Sequence, residues 1–534
     1  MKYIQGQNRE QVFLFPISID SSISLDNEVR LIDAFVSGLP LKEYGFRLDY
    51  IENGRPAYHP ADLLKLYIYG YLNRIRSSRV LERECQRNIE VMWLMKGLVP
   101  DHNTISNFRR DNPKAIRRVF QATVKIAKHF NLIGGKLLAG DSTKLRAQNS
   151  KKNNYNPKKI EQHLEYIDKK LEEYSSLLAN EDQDGISTSE REEMGEKVKK
   201  HLVQKQKYES MQQQLEESGD TQISTTDPES RQIITRNNIT EVAYNVQTTV
   251  DAEHNLPIDY KVTNQNDSKA MGDMVRRTKT ILGHNDFTSL YDKGYHTGSE
   301  FAYADKQGVE VIVAVPQVAS HAPDQAFDVE QFVYEKTTDT YTCPAKQTLK
   351  TNGNWYNKSR GKSNNKIKQY TTKVCKSCEL RSRCTNNKGG RMLERSEHAD
   401  LINANKVRHD KHKTIYRRRQ AIVEHPYGII KRQWGFYYIM TKKTMKRASA
   451  DVGLIFTAYN LRRLLNIVGI DAFRSYILAF FALIGTIFTS LKPSGRIQNF
   501  FTRIFPQKTS FHKSRIFANL VVHFCNKMIL SRAC

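Results

Sequence analysis

Three acids far apart along the chain share a setting that could do chemistry together. Asp141 closes the apolar run GKLLAGD, Asp292 closes FTSLYD, and Glu424 lies in the basic stretch YRRRQAIVEHPYGIIKRQWGF. Converging carboxylates repel one another unless a cation sits between them, and hard oxygen ligands suit Mg²⁺ or Mn²⁺. Two such ions, roughly 3.5–4 Å apart, can activate an attacking oxygen and stabilise a leaving one in phosphodiester chemistry. A second set is softer. Cys375, Cys378 and Cys384 fall in CKSCELRSRC, and YTCPAK adds Cys343. Four thiolates suit a tetrahedral Zn²⁺ that would stabilise a small strand-rich insert, and free reduced cysteines are the plainer alternative.

The acids matter only if the fold gathers them. GKLLAGD reads as a strand ending at Asp141, and VAYNVQTTVD alternates as a half-buried strand. LPIDYKVTN is a third strand. Asp267 and Ser268 can cap a helix that turns Met271, Met274, Val275 and Leu282 inward and stops at Gly283. FTSLYD is a fourth strand, Thr297 to Glu300 reads as a capping box, and VEVIVAVP is a fifth strand. The basic segment from about 410 to 433 reads mainly as helix. Three antiparallel strands followed by alternating helices and strands is the order of a ribonuclease H-like sheet. Strands one and four lie side by side there, so Asp141 meets Asp292, and the last helix carries Glu424 towards them.

The expected fold class is therefore mixed α+β. An all-α domain spans 1–130, and a ribonuclease H-like α/β core spans 131–470. A helical hairpin at 157–218 and a cysteine-containing segment at 317–400 interrupt the core, and an apolar, basic tail covers 471–534. In the first domain, PDHNTISNFRRDNP places Arg109 and Arg110 late in a short helix. A helix-turn-helix reader of DNA fits this, as does a bundle whose arginines face water. Ile160, Leu164, Ile167, Leu171, Tyr174 and Leu178 make a heptad seam, which suits a dimer surface or an intramolecular hairpin equally. The apolar run Tyr476 to Leu491 is shorter than the roughly 20 residues of a spanning helix, which makes a membrane partner a minority reading.

Composition points the same way. Lys and Arg number 83 against 57 Asp and Glu, a formal charge of +26, which attracts polyanions and nucleic acid first among them. A ribosome-associated or membrane-surface protein would share that balance. Residues 401 to 450 hold 13 Lys and Arg against only Asp410 and Glu424, interleaved with Tyr416, Trp434, Phe436, Tyr437 and Tyr438. Such a surface suits phosphate contact with stacking on bases, with Lys431 and Arg432 outward and some aromatics buried. Lys293 is placed to meet phosphate beside Asp292. The N-terminus has no apolar signal-peptide core, and 7 cysteines in a long chain do not form a secreted disulfide framework. The expected location is cytoplasmic, with the nucleoid. No phosphate-cradling loop appears, so no ATP is expected.

LLAGDSTKLRAQNS, SLYDKGYHTGSEF and YRRRQAIVEHPYGIIKRQWGF closely resemble the three acidic motifs of DDE insertion-sequence transposases. The resemblance extends from about residue 10 to 466 to the insertion sequence eleven-eighty-two group, with HPADLLKLYIYGYL, PDHNTISNFRR and YNVQTTVD agreeing as well. It implies that Asp141, Asp292 and Glu424 bind two Mg²⁺ or Mn²⁺ ions, and that double-stranded DNA is the substrate. It further implies nicking at terminal inverted repeats, strand transfer, and a homodimeric synaptic complex. The related enzymes carry a Tyr-x2-Arg-x3-Glu-x6-Lys signature, which Tyr416, Glu424 and Lys431 fit. Four residues separate Arg419 from Glu424 instead of three, with Gln420 in the expected slot, which leaves Arg417, Arg418 and Arg419 open for that role. Helical geometry puts Arg417, Glu424 and Lys431 on one face, and Pro426 should kink or end the helix. Two other readings remain: a DNA-binding derivative without catalysis, and a metal-dependent nuclease that cuts without joining.

Overall fold

The computed structural model describes residues 18–48, 56–180, 188–235, 239–317, 322–357 and 365–470, with 472, 473 and 475. The described residues up to Phe473 belong to one compact unit. The tail from 476, including the apolar run to Leu491, lies outside the described residues, as do Cys525 and Cys534.

Six strands form the central sheet: β1 (Leu137–Arg146), β2 (Arg231–Ile234), β3 (Thr240–Asp251), β4 (Leu256–Thr263), β5 (Thr288–Tyr291) and β6 (Glu310–Val313). β3 runs antiparallel to β1, and its other edge pairs antiparallel with both β2 and β4. β5 is parallel to β1, and β6 is parallel to β5. The order β4-β3-β1-β5-β6 is that of a ribonuclease H-like sheet, as the element order implied. Two strand expectations need correction. β1 does not stop at Asp141 but continues to Arg146, because β3 pairs with it all the way to Ala243. β3 is not half-buried: it is buried from Val242 to Asp251, because helices cover both faces of the sheet.

Strand alternation sorts the side chains between those faces. Ala139, Val250, Leu290 and Ile312 share one face, and Ile422 and Val423 of the Lys413–Tyr427 helix pack onto them. Opposite them the Met271–Leu282 helix approaches β3, with Thr278 Oγ1 3.3 Å from Thr249 Oγ1. That helix does end at Gly283, whose φ of 83° lies in the left-handed region open to glycine. Its start differs from expectation. Asp267 sits in a 3-10 turn ahead of it, and its carboxylate bonds to β3 side chains. The capping box at Thr297 is also not made, because Glu300 instead accepts from the Gly272 amide at 2.7 Å.

The N-terminal helices join the same unit. Residues 61–72 of the Pro60–Leu72 helix are all buried, and the Pro113–His129 helix packs on the Met445–Val468 helix and β4. Phe120, Tyr260 and Phe456 meet there, with ring centroids 5.1 to 6.3 Å apart. The heptad seam is used within the chain. The Pro157–Asn180 and Thr188–Ser218 helices form an antiparallel hairpin in which Ile160 packs with Met211 and Leu215, and Lys205 pairs with Asp168 at 2.7 Å. The side chain of Leu178 lies outside the described residues. Pro426 lies one residue before the α-helix ends at Tyr427. It removes one backbone donor, and the chain passes into a π-helical stretch, Gly428–Gln433.

Candidate active site and cysteine cluster

The parallel register Leu137↔Thr288, Leu138↔Ser289, Ala139↔Leu290, carried on two residues, sets Asp141 opposite Asp292. Pairing with β1 stops at Leu290, and Asp292 turns aside to cap a 3-10 turn, its Oδ1 accepting from the Gly294 amide at 2.8 Å. By alternation both acids point to the face under the Lys413–Tyr427 helix. Gly140 makes this close approach possible. A Cβ there would lie 2.0 Å from Cε1 of Tyr291, whose ring covers the glycine on the opposite face.

The helix addresses the acids through one stripe. Tyr416 Oη donates to the Tyr291 carbonyl at 3.0 Å, Arg419 Nη1 sits 3.1 Å from Asp141 Oδ2, and the Tyr427 hydroxyl bonds to Thr248, the cross-strand neighbour of Asp141. Of the three candidate arginines, Arg419 is the one at the carboxylates, while Arg417 and Arg418 are exposed. Glu424 is on the same helix but about a quarter turn round from that stripe. It is exposed, and its Oε1 accepts from Gln420 at 2.8 Å. The structure thus brings two of the three acids together and leaves the third on the covering helix.

Burial pushes the Asp141 carboxyl above the usual carboxylate range, and the nearby Asp292 charge adds to the rise. The Arg419 guanidinium and the Ser142 amide, at 2.7 Å, oppose it. A carboxylate so placed needs a neighbouring cation, and hard oxygen donors fit a divalent ion of the Mg²⁺ kind. Among the described residues no three His, Cys, Asp or Glu side chains already form a metal cage.

The structure gives Asp267, read from the sequence as a helix cap, a place beside the site, together with Tyr295. Asp267 accepts from Asn245 and Gln247, each at 2.7 Å, and pairs with Lys144 at 3.0 Å; its 3-10 turn packs against the turn that begins at Asp292. Tyr295 Oη donates to Gln247 on the same buried side. Only the regular spacing of Asn245 and Gln247 along β3 hinted at polar work on a buried face.

Of the expected DNA-contacting residues, Arg109 is corrected. It is buried, and together with Tyr71 and Arg76 it surrounds Asp451, because a charge in that helical core requires a partner. Arg110 is exposed and paired with Asp111 at 2.6 Å. Lys293 and Arg432 are exposed, and Lys431 is half-buried with Nζ on the Lys144 carbonyl at 2.9 Å. Trp434 and Phe436 are buried whereas Tyr437 and Tyr438 are exposed, so that basic stretch supplies both core and surface.

The four cysteines of the second insert are half-buried free thiols lining one cavity of about 30 Å³. Burial raises the Cys384 thiol above its ordinary range; Arg391 opposes the rise, and the other three cysteines add to it.

The site is thus a ribonuclease H-like sheet that sets Asp141, within one central strand, beside Asp292, just past the end of the parallel strand next to it. Two separate stretches of the chain match transposase family models. The family model "Transposase domain (DUF772)" matches residues 17–111, and "Transposase DDE domain" matches residues 342–465. A DDE domain implies dependence on a divalent metal in general. No curated protein matches the chain. A solved piggyBac transposase synaptic complex with hairpin DNA aligns over 92% of this chain and 88% of that one, at 10% identity and a TM-score of 0.27. So slight a likeness carries no argument, and the fold rests on the strand order.

Proposed function

We propose that this chain is an insertion-sequence transposase of the eleven-eighty-two group that binds the terminal inverted repeats of its element, nicks the DNA there and joins the freed 3′ end to a target. The observation that carries the proposal is the shared register of Asp141 and Asp292 beneath a helix that bears Arg419 and Glu424. Asp141, Asp292 and Glu424 would hold Mg²⁺ or Mn²⁺, with Glu424 turning in when DNA and metal are bound. The bound ions would supply Lewis-acid activation of the attacking oxygen and charge neutralisation at the leaving one.

The chain's own residues do the positioning. Tyr416 ties the helix to the Tyr291 carbonyl at the end of β5, and Tyr427 ties it to β3. Arg419, relieved of Asp141 by bound metal, is free to take a phosphate. Exposed Lys293, Arg417 and Arg432 offer backbone contacts, and Tyr437 and Tyr438 offer faces for unstacked bases. Exchange of one phosphodiester for another needs no ATP. Joining two ends implies two copies of the chain, and the working location would be the cytoplasm at the nucleoid. The all-α segment 1–130 and the core 131–470 would then act as DNA-reading and catalytic parts of one unit.

The test is strand cleavage and joining on labelled DNA from the ends flanking this reading frame, with Mg²⁺ or Mn²⁺ and Asp292→Asn alongside. The expected result is nicking at the element end and joined product, lost by at least about a hundredfold in the variant while binding persists. Binding without cutting would instead identify a DNA-binding derivative. Cutting without joining would identify a nuclease.

A further inference from the structure

We propose that Cys343, Cys375, Cys378 and Cys384 together bind one structural Zn²⁺ ion that fastens the cysteine loop to the sheet of the second insert. This inference is independent of the DNA chemistry.

The insert has little else to hold it. Its six strands, from Val333–Glu335 to Leu393–Ser396, enclose a core of Phe332, Leu349, Tyr370 and Leu393. So small a core contributes little stability alone. The loop between Thr371 and Leu393 carries three of the cysteines, Cys375 in a 3-10 turn, Lys373–Lys376, Cys384 in a single helical turn, Arg381–Cys384, and Cys378 between them, with no strand of its own. Yet it returns to the sheet where Cys343 leaves the strand Thr340–Thr342, and both Cys343 and Cys384 pack on the core.

Local backbone geometry at two of the thiols suits metal binding. After Cys343 the chain wraps round the sulfur. The Lys346 amide donates to the Cys343 carbonyl at 2.8 Å, Lys346 adopts a left-handed φ of 58°, and the Gln347 amide donates to Cys343 Sγ at 3.3 Å. Such a turn supports a thiolate at this one ligand position. Gly390, with φ of 94°, presses the loop onto Cys375, where a Cβ would come 2.5 Å from Cys375 Cβ. The four thiols then line a cavity of about 30 Å³, the room for one small ion, and no histidine or carboxylate shares the lining. They are not drawn into a closed cage in this structure. Rotation about a single cysteine torsion moves its sulfur by roughly 3 Å, which is the movement by which the thiols would close on an ion. An all-sulfur tetrahedron selects Zn²⁺ over the hard ions suited to the aspartates, and its formation releases the thiol protons.

The experiment uses the full chain purified without chelator. Metal content is measured by mass spectrometry, Co²⁺ is substituted for zinc, and alkylation of each cysteine is mapped with and without zinc. Expected are about one zinc per chain, a sulfur-to-cobalt charge-transfer band with intense tetrahedral visible bands, and protection of these four cysteines by zinc. Cys378→Ser should cut retained zinc at least about tenfold, while Cys85→Ala and Asp292→Asn leave it unchanged. Because Cys378→Ser could unfold the insert, the cobalt spectrum of the unaltered chain stands as a separate reading. Weak octahedral bands, or equal alkylation with and without zinc, would overturn the proposal and leave four reduced cysteines.

Discussion

Arg419 Nη1 lies 3.1 Å from Asp141 Oδ2, so a side chain from the covering helix occupies the charge position that a divalent ion would claim. The same guanidinium also acts on Tyr416, and the Asp292 charge acts on it in turn. Replacing it should therefore make the paired aspartates a stronger cation site. Arg419→Gln is expected to tighten Mn²⁺ binding by roughly an order of magnitude in the absence of DNA, followed by Mn²⁺ spin resonance. Unchanged binding would mean that the arginine does not compete for the acids.

Gly140 answers a packing demand rather than a turn. With Tyr291 Cε1 2.0 Å from where a Cβ would stand, Gly140→Ala must push either the ring or β1 aside, one residue from Asp141. The expected cost is about 1–3 kcal/mol of stability, read from the urea midpoint, together with loss of cleavage. An alanine variant as stable and active as the parent would show that the two strands do not approach this closely.

Asp451 is fully buried between Arg76 and Arg109, and its Oδ2 also accepts from the Met440 amide at 2.7 Å. Asp451→Asn would leave two buried guanidinium groups without a counter-charge and should cost about 3–5 kcal/mol, measured by chemical denaturation. Because Arg76 also donates to the Tyr438 carbonyl, the same change should raise hydrogen exchange around residues 437–440.

In the insert, Asp339 accepts from Lys368 at 2.8 Å, Tyr370 at 2.6 Å and Tyr334 at 2.9 Å, and these bonds pull its carboxyl down to about 2. A folded-state value below the unfolded one stabilises the fold above the unfolded value, about 3.9. That contribution fades as pH falls towards 2. Asp339→Asn suits the local φ of 48°, so it should lower insert stability at neutral pH and flatten its acid dependence between those two values. Hydrogen exchange of the insert strands across that pH range checks both.

Alternation in β3, the apolar runs before Asp141 and Asp292, and the order of strands and helices were enough to imply a ribonuclease H-like sheet with those two aspartates side by side. These are local signals, because a strand's period and its stop are written in neighbouring residues. The basic helix carrying Glu424 was legible for the same reason. Distant partners were not. No local pattern says that Arg109 turns inward to Asp451, that Arg419 reaches Asp141, or that Glu424 stands aside from the aspartates. Whether β3 is covered on one face or two depends on helices contributed from elsewhere in the chain, and whether the heptad seam faces itself or a second copy depends on how the chain turns back. Sequence by itself determined which elements form and in what order. Tertiary packing decided which charges are buried, because the cost of burying a charge is set by the groups that the rest of the fold brings beside it.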